Sequence, residues 1–232
     1  MKKLFIIAAA SICLVSCDVK TGSGNIERQG RNVSSFNRVK ASSGIKVFIK
    51  QGSHKVTVVA DDNLLNDIIT EVSGGTLNIK YRNGISVNNA DVTINVETPE
   101  LTELYASSAA DVEVQGTVQS DKTLHFHASS SGSIIASVDA PAVNLDASSS
   151  GDIDIKGRTR DLDAQASSSG SIKAEELLTE STKAQASSAG SIKVHASVRL
   201  NAQASSGGSV DYRGNPTVSK QESSGGSIEK ID

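Results

Sequence analysis

Residues 166–174 read ASSSGSIKA, and closely similar phrases recur through the second half of the chain. The other copies are ASSAADVEV at 106, ASSSGSIIA at 128, ASSSGDIDI at 147, ASSAGSIKV at 186, ASSGGSVDY at 204 and ESSGGSIEK at 222. Successive copies start 22, 19, 19, 20, 18 and 18 residues apart. A period near 19 residues without a helix pattern predicts a β-solenoid with stacked coils.

Apolar or small residues alternate with polar ones on both sides of the Ser-Ser pair. Alternation of period two is typical of strands, so each repeat is expected to hold two strands joined by a tight turn. Three columns are predicted to point inward: Leu104, Phe126, Leu145, Ala164, Ala184, Ala202 and Lys220; Ala106, Ala128, Ala147, Ala166, Ala186, Ala204 and Glu222; and Val112, Ile134, Ile153, Ile172, Ile192, Val210 and Ile228. The fold class that follows is all-β, with flattened coils of about 18–22 residues and two main sheets.

A glycine recurs at the end of each tight turn. The set is Gly132, Gly151, Gly170, Gly190, Gly208 and Gly226. The expected reason is a positive φ at this position in every coil. The serines are interpreted as geometric rather than catalytic, because two sheets closing toward an edge leave room only for small side chains, whose hydroxyls bond the neighbouring backbone.

The residues between the inward columns are expected to form outward columns. One of them reads His127, Asp146, Gln165, Gln185, Gln203 and Gln221, and its amides can hydrogen-bond along the stack. In the last copy Lys220, Glu222 and Lys230 occupy inward positions, which predicts a cap that discourages another chain from adding to the open edge. Assembly of several copies through other surfaces stays compatible with the sequence.

The N-terminal half is less regular. Short alternating runs, separated by turn signals such as Gly74-Gly75 and Asn83-Gly84, predict strands between residues 31 and 105, with one or two helical turns from Leu64 to Ile69. We therefore expect one domain over residues 31–232, irregular over 31–105 and regular over 106–232. Residues 17–30 are polar and contain glycine, which predicts a flexible tether.

The first residues carry an export signal. Lys2 and Lys3 precede an apolar run that ends in Leu-Val-Ser-Cys at residue 17, which predicts a lipoprotein signal peptide over 1–16 and a lipid on Cys17. An ordinary cleaved signal with a chance cysteine is the alternative. Removal of this segment leaves 21 basic and 26 acidic residues, a balance that disfavours nucleic acid as a partner. The expected location is the cell envelope, as an outer-membrane lipoprotein on either face of that membrane.

Several phrases resemble the head GIN domain family of auto-transporter adhesins. They are VKASSGI at 39–45, VTV at 56–58 followed by ADDNLL at 60–65, GGTL at 74–77 and the serine-glycine repeats, so that the resemblance covers roughly residues 31–232. It implies a right-handed parallel β-helix-like fold and a role in adhesion, with no known catalytic residues. No membrane barrel follows the repeats, so the lipid on Cys17 would serve as the anchor.

No constellation points clearly to catalysis or to a cofactor. The chain lacks a Gly-x-Ser-x-Gly elbow, and the acidic pair Asp152 and Asp154 faces no carboxylate cluster that would hold Ca²⁺ in a polysaccharide lyase. His125, His127 and Asp146 form a weak candidate for a transition metal, and a solvated surface group is the preferred interpretation.

Three functions stay open at this point. The preferred hypothesis is a lipid-anchored adhesin head or surface-interaction module that binds a glycan or a protein on a host or neighbouring cell. The alternatives are a structural envelope scaffold without an external ligand and a glycan-processing enzyme.

Overall fold

The computed structural model describes residues 18–231, so the signal peptide and Cys17 lie outside the described residues. The N-terminal strands are β1 (Asp18–Thr21), β2 (Ile26–Arg31), β3 (Arg38–Ala41), β4 (Lys46–Gln51), β5 (Lys55–Asp61), β6 (Ile68–Ser73), β7 (Thr76–Tyr81), β8 (Ile85–Asn88) and β9 (Thr93–Thr98). The repeat region continues with β10 (Glu103–Ala106), β11 (Asp111–Gln119), β12 (Leu124–Ala128), β13 (Ser133–Ala147), β14 (Asp152–Ala166), β15 (Ser171–Ala186), β16 (Ser191–His195), β17 (Arg199–Ala204), β18 (Ser209–Arg213), β19 (Thr217–Glu222) and β20 (Ser227–Lys230). Within residues 18–231, no helix has the length and apolar character needed to cross a membrane.

The predicted β-solenoid is confirmed, with about six stacked turns. Sheet 1 contains the strands that precede each Ser-Ser turn, in the order β6, β7, β3, β10, β12, the ends of β13, β14 and β15, then β17 and β19. Sheet 2 contains the strands that follow the turn, in the order β2, β5, β9, β4, β11, the beginnings of β13, β14 and β15, then β16, β18 and β20. Strand pairing is parallel throughout the repeats and antiparallel only among the N-terminal strands, where β2 pairs with β5, β5 with β9, and β6 with β7.

The three predicted inward columns are confirmed in register, and their residues are buried except for Lys220 and Glu222 in the last copy. Phe126 pairs with Leu104 and Leu145, and Ile172 pairs with Ile153 and Ile192. These six side chains are at most 2% exposed. The core is therefore a stack of aliphatic side chains between two sheets, which explains how the chain folds with only 3% aromatic residues.

The reason given for the turn glycines is wrong. In the turn Ser167-Ser168-Ser169-Gly170, the Gly170 N–H donates to the Ser167 carbonyl at 2.9 Å, and the positive φ angles fall on Ser168 (50°) and Ser169 (61°). Two positive φ angles across this bond define a type I′ turn. Gly170 is required for a different reason: a Cβ there would lie 2.2 Å from the Ala147 carbonyl oxygen of the preceding coil.

The serines at the centre of the turn also differ from the prediction. Ser168 and Ser169 face solvent instead of filling a narrow interior edge. The turns are joined along the stack by backbone, because the N–H of Ser169 donates to the Ser188 carbonyl at 3.1 Å and the N–H of Ser150 donates to Ser168. Geometry still accounts for the serines, but as small residues that tolerate the left-handed region in an exposed turn.

The second corner of the central coils differs from the expected arrangement of two separate strands in each repeat. Strands β13, β14 and β15 run for 15 or 16 residues and continue around this corner, where the pairing skips only one residue of each strand. The bend is shared along the stack because Ala140 pairs with Thr159, and Thr159 pairs with Thr179. Each long strand therefore contributes to sheet 2 first and to sheet 1 afterwards.

The N-terminal segment is not the expected tether over residues 17–30. From Asp18 it forms β1, which pairs with β8, and then β2, which pairs antiparallel with β5. Lys20 is bound to the buried carboxylate of Asp67 at 2.6 Å, and Arg82 bonds the same carboxylate. The described part of the domain thus includes residues 18–30. The predicted helical turns correspond to a 3₁₀ helix at Asp62–Asp67.

Asp67 should make the stability of this end dependent on pH. Its side chain is 1% exposed, and the hydrogen bonds from Lys20 and Arg82 hold the pKa of the carboxyl below its usual range despite burial. A lowered folded-state pKa stabilises the fold above the normal carboxyl pKa of about 4, and this contribution is lost as the pH falls toward the folded value. We expect Asp67→Asn to lower the free energy of unfolding at pH 7 by about 1–3 kcal/mol and to flatten its decline in acid.

Denaturant titrations between pH 7 and pH 3 test this expectation. The control is Asp139→Asn, because Asp139 is an exposed carboxylate whose partner Arg158 is also exposed and such pairs contribute little. Equal acid profiles for the wild type and Asp67→Asn would contradict a role for Asp67.

The predicted C-terminal cap is present, and its geometry is specific. Lys220 and Glu222 reach from sheet 1 across the open end to Ile228 in sheet 2. The Lys220 ammonium donates to the Ile228 carbonyl at 2.8 Å, and the Ile228 N–H donates to Glu222 at 2.6 Å. These bonds occupy backbone groups at the last strand, where an added strand would otherwise pair.

We expect the variant Lys220→Val, Glu222→Ala, Lys230→Val to stay folded and to associate end to end, because the change frees an edge and extends the apolar columns. Analytical ultracentrifugation over a range of protein concentrations measures the association. The control removes the same side chains from the outer side of sheet 2, as Lys173→Val, Glu176→Ala, Lys193→Val. A capless variant that stays as monomeric as this control would show that other residues protect the end.

Candidate interaction surfaces

The two outward faces of the solenoid are the candidate interaction surfaces. We call the outer side of sheet 1 over residues 142–223 face 1, and the outer side of sheet 2 over residues 133–229 face 2. Each face consists of axial columns, because parallel in-register pairing places equivalent residues of successive coils beside one another. A column thus presents one kind of side chain at intervals of about 4.8 Å.

Face 1 contains the predicted column of amides. Asp146 pairs with Gln165, Gln165 with Gln185, and Gln185 with Gln203, which confirms the predicted register. The Gln185 side-chain amide donates to the Gln203 side-chain carbonyl at 3.0 Å. The neighbouring column is also polar and consists of Asn144, Asp163, Lys183, Asn201 and Ser219.

Two grooves run along face 1. The first has a volume of about 280 Å³ and lies between the amides of Gln165, Gln185 and Gln203 and the first serines of the turns. The second has a volume of about 510 Å³. Its lining includes Leu162, Leu200 and Val218 together with polar side chains of the two outer columns.

The outermost column of face 1 was not identified from the sequence. It consists of Ala142, Asp161, Ser181, Arg199 and Thr217, which are in register. The repeat could have revealed it, since these residues lie two positions before the column that begins at Asn144. The five residues of this column are all of different types, so the sequence shows no repeat at this position, whereas the recurring glutamines make the amide column easy to recognise.

Face 2 is dominated by paired charges. Lys173 lies 3.3 Å from Asp152, and Arg158 lies 2.8 Å from Asp139. The hydrogen bond and charge of Asp139 raise the pKa of the Arg158 guanidinium. Ile135, which is 51% exposed, is an isolated apolar residue between Glu113 and Asp154 in the same column. Such a surface offers scattered opposite charges rather than a continuous patch.

The candidate metal ligands do not converge. His125 and His127 lie in register with Asn144 and Asp146 as predicted, and the His125 Nδ1 is 3.2 Å from the Asn144 amide nitrogen. The His127 ring lies 6.0 Å from the ring of Tyr105. Over residues 18–231 no three His, Cys, Asp or Glu side chains gather into a possible metal site. The geometry gives the metal hypothesis no support.

The ring of Tyr105, on strand β10 of sheet 1, is already covered by another side chain of the protein. The Lys40 ammonium lies 4.7 Å from the centre of the Tyr105 ring, which also faces His127. The Tyr105 hydroxyl is 3.2 Å from the Ser129 hydroxyl. A ligand could not stack on this ring without displacing Lys40, so the polar columns are the accessible part of the face.

Comparison with known proteins gives a consistent result. The model of one family, described as "Putative auto-transporter adhesin, head GIN domain", matches residues 35–216. A "putative adhesin" from Bacteroides fragilis NCTC 9343 has a TM-score of 0.83 at 20% identity, with 91% of this chain and 100% of that chain covered. No curated protein matches the chain.

Two further solved structures share the fold. A "putative lipid binding protein" from Parabacteroides distasonis ATCC 8503 has a TM-score of 0.76 at 23% identity, covering 93% of this chain and 100% of the other. A "putative adhesin" from Parabacteroides merdae ATCC 43184 has a TM-score of 0.69 at 18% identity, with the same coverage. At these identities the likeness establishes the fold alone.

Proposed function

The chain belongs to the head GIN domain family of auto-transporter adhesins, and from that premise we propose that it is a lipid-anchored, non-enzymatic attachment module of the bacterial envelope. The observation that carries the proposal is the stacked register, which turns both faces into long arrays of equivalent side chains. Arrays of weak contacts suit attachment, since many anchored copies multiply the strength of binding.

The surface chemistry supports binding rather than catalysis. An active site usually needs a pocket in which titratable groups converge, whereas the grooves of face 1 are axial and their charged side chains are spread along the columns, with Asp146 in the smaller groove and Asp161, Asp163, Lys183 and Arg199 in the larger one. The serines at the centre of the type I′ turns are exposed, as Ser168 and Ser169 illustrate, and the chain has no Gly-x-Ser-x-Gly elbow that would present a serine as a nucleophile. Incubation with polysaccharides and analysis of the products tests the non-enzymatic part of the proposal, which released oligosaccharides would contradict.

The anchor is proposed from the sequence Leu14-Val15-Ser16-Cys17. Strand β1 begins at Asp18, so a lipid on Cys17 would join the fold without a spacer. Because β1 and β8 lie at the N-terminal coils, this attachment would hold that end near the membrane and direct the capped end away from it. We expect Cys17→Ser to remove lipid from the mature protein, as seen by mass spectrometry, and to release the protein from the membrane fraction.

Cell attachment tests the function directly. A strain that lacks the protein should attach less well to epithelial or bacterial target cells, and the wild-type gene should restore attachment. Protease treatment of intact cells shows in parallel whether the protein is exposed at the surface. If the protein is protected from protease and its loss leaves attachment unchanged, the attachment proposal fails in favour of an internal scaffold.

A further inference from the structure

The ligand class can be inferred from the groups that face 1 makes available. In the interior of a sheet the backbone N–H and C=O groups are used in strand pairing, so an object lying on the face meets only side chains. An extended peptide would lose its backbone hydrogen bonds there, because no free strand edge is offered. A ligand for face 1 must carry its own hydrogen-bonding groups along its whole length.

The side chains on face 1 both donate and accept hydrogen bonds. Each glutamine of the amide column supplies an NH₂ donor and a carbonyl acceptor, and each turn serine supplies a hydroxyl. Gln165, Gln185 and Gln203 line one side of the smaller groove, and Ser167, Ser187 and Ser205 line the other. Both kinds of group recur once per coil, so the groove offers the same contacts repeatedly along the axis.

Charge on face 1 is balanced in number, with Asp146, Asp161 and Asp163 on one side and Arg160, Lys183 and Arg199 on the other, and two of these pairs are in contact. Lys183 binds Asp163 at 3.1 Å, and Arg160 binds Asp161 at 2.8 Å. The Arg199 guanidinium donates to the Ser181 hydroxyl at 3.1 Å. A polyanion would therefore find neither a column of cations nor a net positive field here. A neutral ligand loses no charge solvation when it enters these grooves.

The larger groove adds a small apolar component at its C-terminal end. Val218 is partly exposed there, whereas Leu162 and Leu200 are 3% and 2% exposed and belong to the core; hydrogen-bonding side chains form the neighbouring columns. A sugar ring has this same division, with C–H groups on its faces and hydroxyls around its rim. A linear polymer of such rings matches a groove that runs across several coils.

We propose that face 1 binds an extended neutral polysaccharide that lies along the solenoid axis, held by the amide column and the turn serines. The inference deepens the attachment function and rests on it. Recognition through amides and hydroxyls fits the composition of this region, because the only aromatic residue in 142–223 is Tyr212, which is buried in sheet 2. Affinity for a single sugar should be low and should rise with chain length, because each added unit gains equivalent contacts.

The experiment measures binding of the purified mature chain to immobilised linear polysaccharides by surface plasmon resonance. The neutral probes are a β-glucan, a xylan and a mannan, and the charged probes are polygalacturonate and dextran sulfate. We expect the double variant Gln185→Ala, Gln203→Ala to weaken binding to a neutral probe about tenfold or more. The control Lys193→Ala, Asp211→Ala alters outward residues of the same two coils on face 2 and should bind as the wild type does.

Two measurements distinguish a binding role of the amides from a structural one, namely the recovery of binding by asparagine variants and the thermal stability of all variants. Gln185→Asn, Gln203→Asn keeps the amide chemistry and should recover part of the binding, whereas the melting temperatures of all variants should stay close together. Binding only to the charged probes, or loss of binding in the face 2 control but not in the glutamine variant, would overturn the inference. If no neutral probe binds while cells still attach, the ligand class is wrong and the attachment function stands; if attachment is also absent, the proposed function itself fails.

Discussion

Ile172→Asp should prevent the protein from folding stably, with a loss of more than about 4 kcal/mol in the free energy of unfolding. Ile172 is 1% exposed and lies between Ile153 and Ile192 in the central apolar column. A carboxylate there would be surrounded by aliphatic groups of both sheets, without a partner for its charge. Denaturant unfolding followed by circular dichroism measures the loss.

The matched control is the next residue. Lys173 faces outward beside Asp154 and Lys193, so Lys173→Asp should cost about 1 kcal/mol or less. If Ile172→Asp yields no soluble protein, Ile172→Ala keeps the test quantitative, with an expected loss of about 2–4 kcal/mol. Similar losses for Ile172→Ala and Lys173→Asp would mean that the strand register is reversed.

Gly170→Ala is expected to have the second largest effect, a loss of about 3 kcal/mol or more. The added Cβ would lie 2.2 Å from the Ala147 carbonyl oxygen and 2.5 Å from its carbon, and a backbone held by strand pairing on both sides cannot move away cheaply. Thermal and denaturant unfolding measure this loss.

The variant Ser169→Gly distinguishes a steric clash between coils at Gly170 from a requirement for a positive φ angle in the turn. Ser169 already has φ of 61°, and Gly207 and Gly225 occupy the equivalent position in later turns, so the change should stay within about 0.5 kcal/mol. If Gly170→Ala is harmless while changes at Ser169 are costly, the contact between coils does not determine the glycine.

The repeat region was predictable from the sequence because one pattern carries both register and burial. Once the Ser-Ser pairs are aligned, every residue acquires a neighbour in the next coil, and the pairing of Gln185 with Gln203 follows from counting alone. The charges at Lys220 and Glu222 were likewise readable, since they interrupt columns that are otherwise apolar. The family resemblance is also confirmed.

The role of Gly170 was not predictable, since no local signal reports a close approach to the preceding coil. Residues 18–30, which were predicted to be part of a tether, were misinterpreted for a related reason. Strand β2 is held by backbone pairing with β5, about thirty residues away, and an edge strand of this kind can be polar on every side. The arrangement of the first coils was not predictable either, because the strands do not stack in chain order. In sheet 1, β3 lies between β7 and β10, and in sheet 2, β4 lies between β9 and β11.

The outward columns predicted from the sequence do not determine where the grooves lie or which charged residues form ion pairs. The sequence places Asp152, Asp154 and Lys173 near one another, and only the structure selects Asp152 as the partner of Lys173. The grooves depend on how far each outward side chain extends from the sheet. This depends on rotamers that a single sequence does not specify.

Removal of one whole coil tests the central claim, that the solenoid attaches through repeated equivalent contacts. Deletion of residues 166–185 joins Gln165 to Ala186. Ala186 then takes the place of Ala166, to which it is equivalent because the two residues pair in neighbouring coils. The shortened chain should fold, reach the cell surface and retain reduced but measurable attachment, with weaker binding than the wild type. A shortened protein that folds and reaches the surface but supports no attachment at all would contradict the claim and place a single discrete site within those twenty residues.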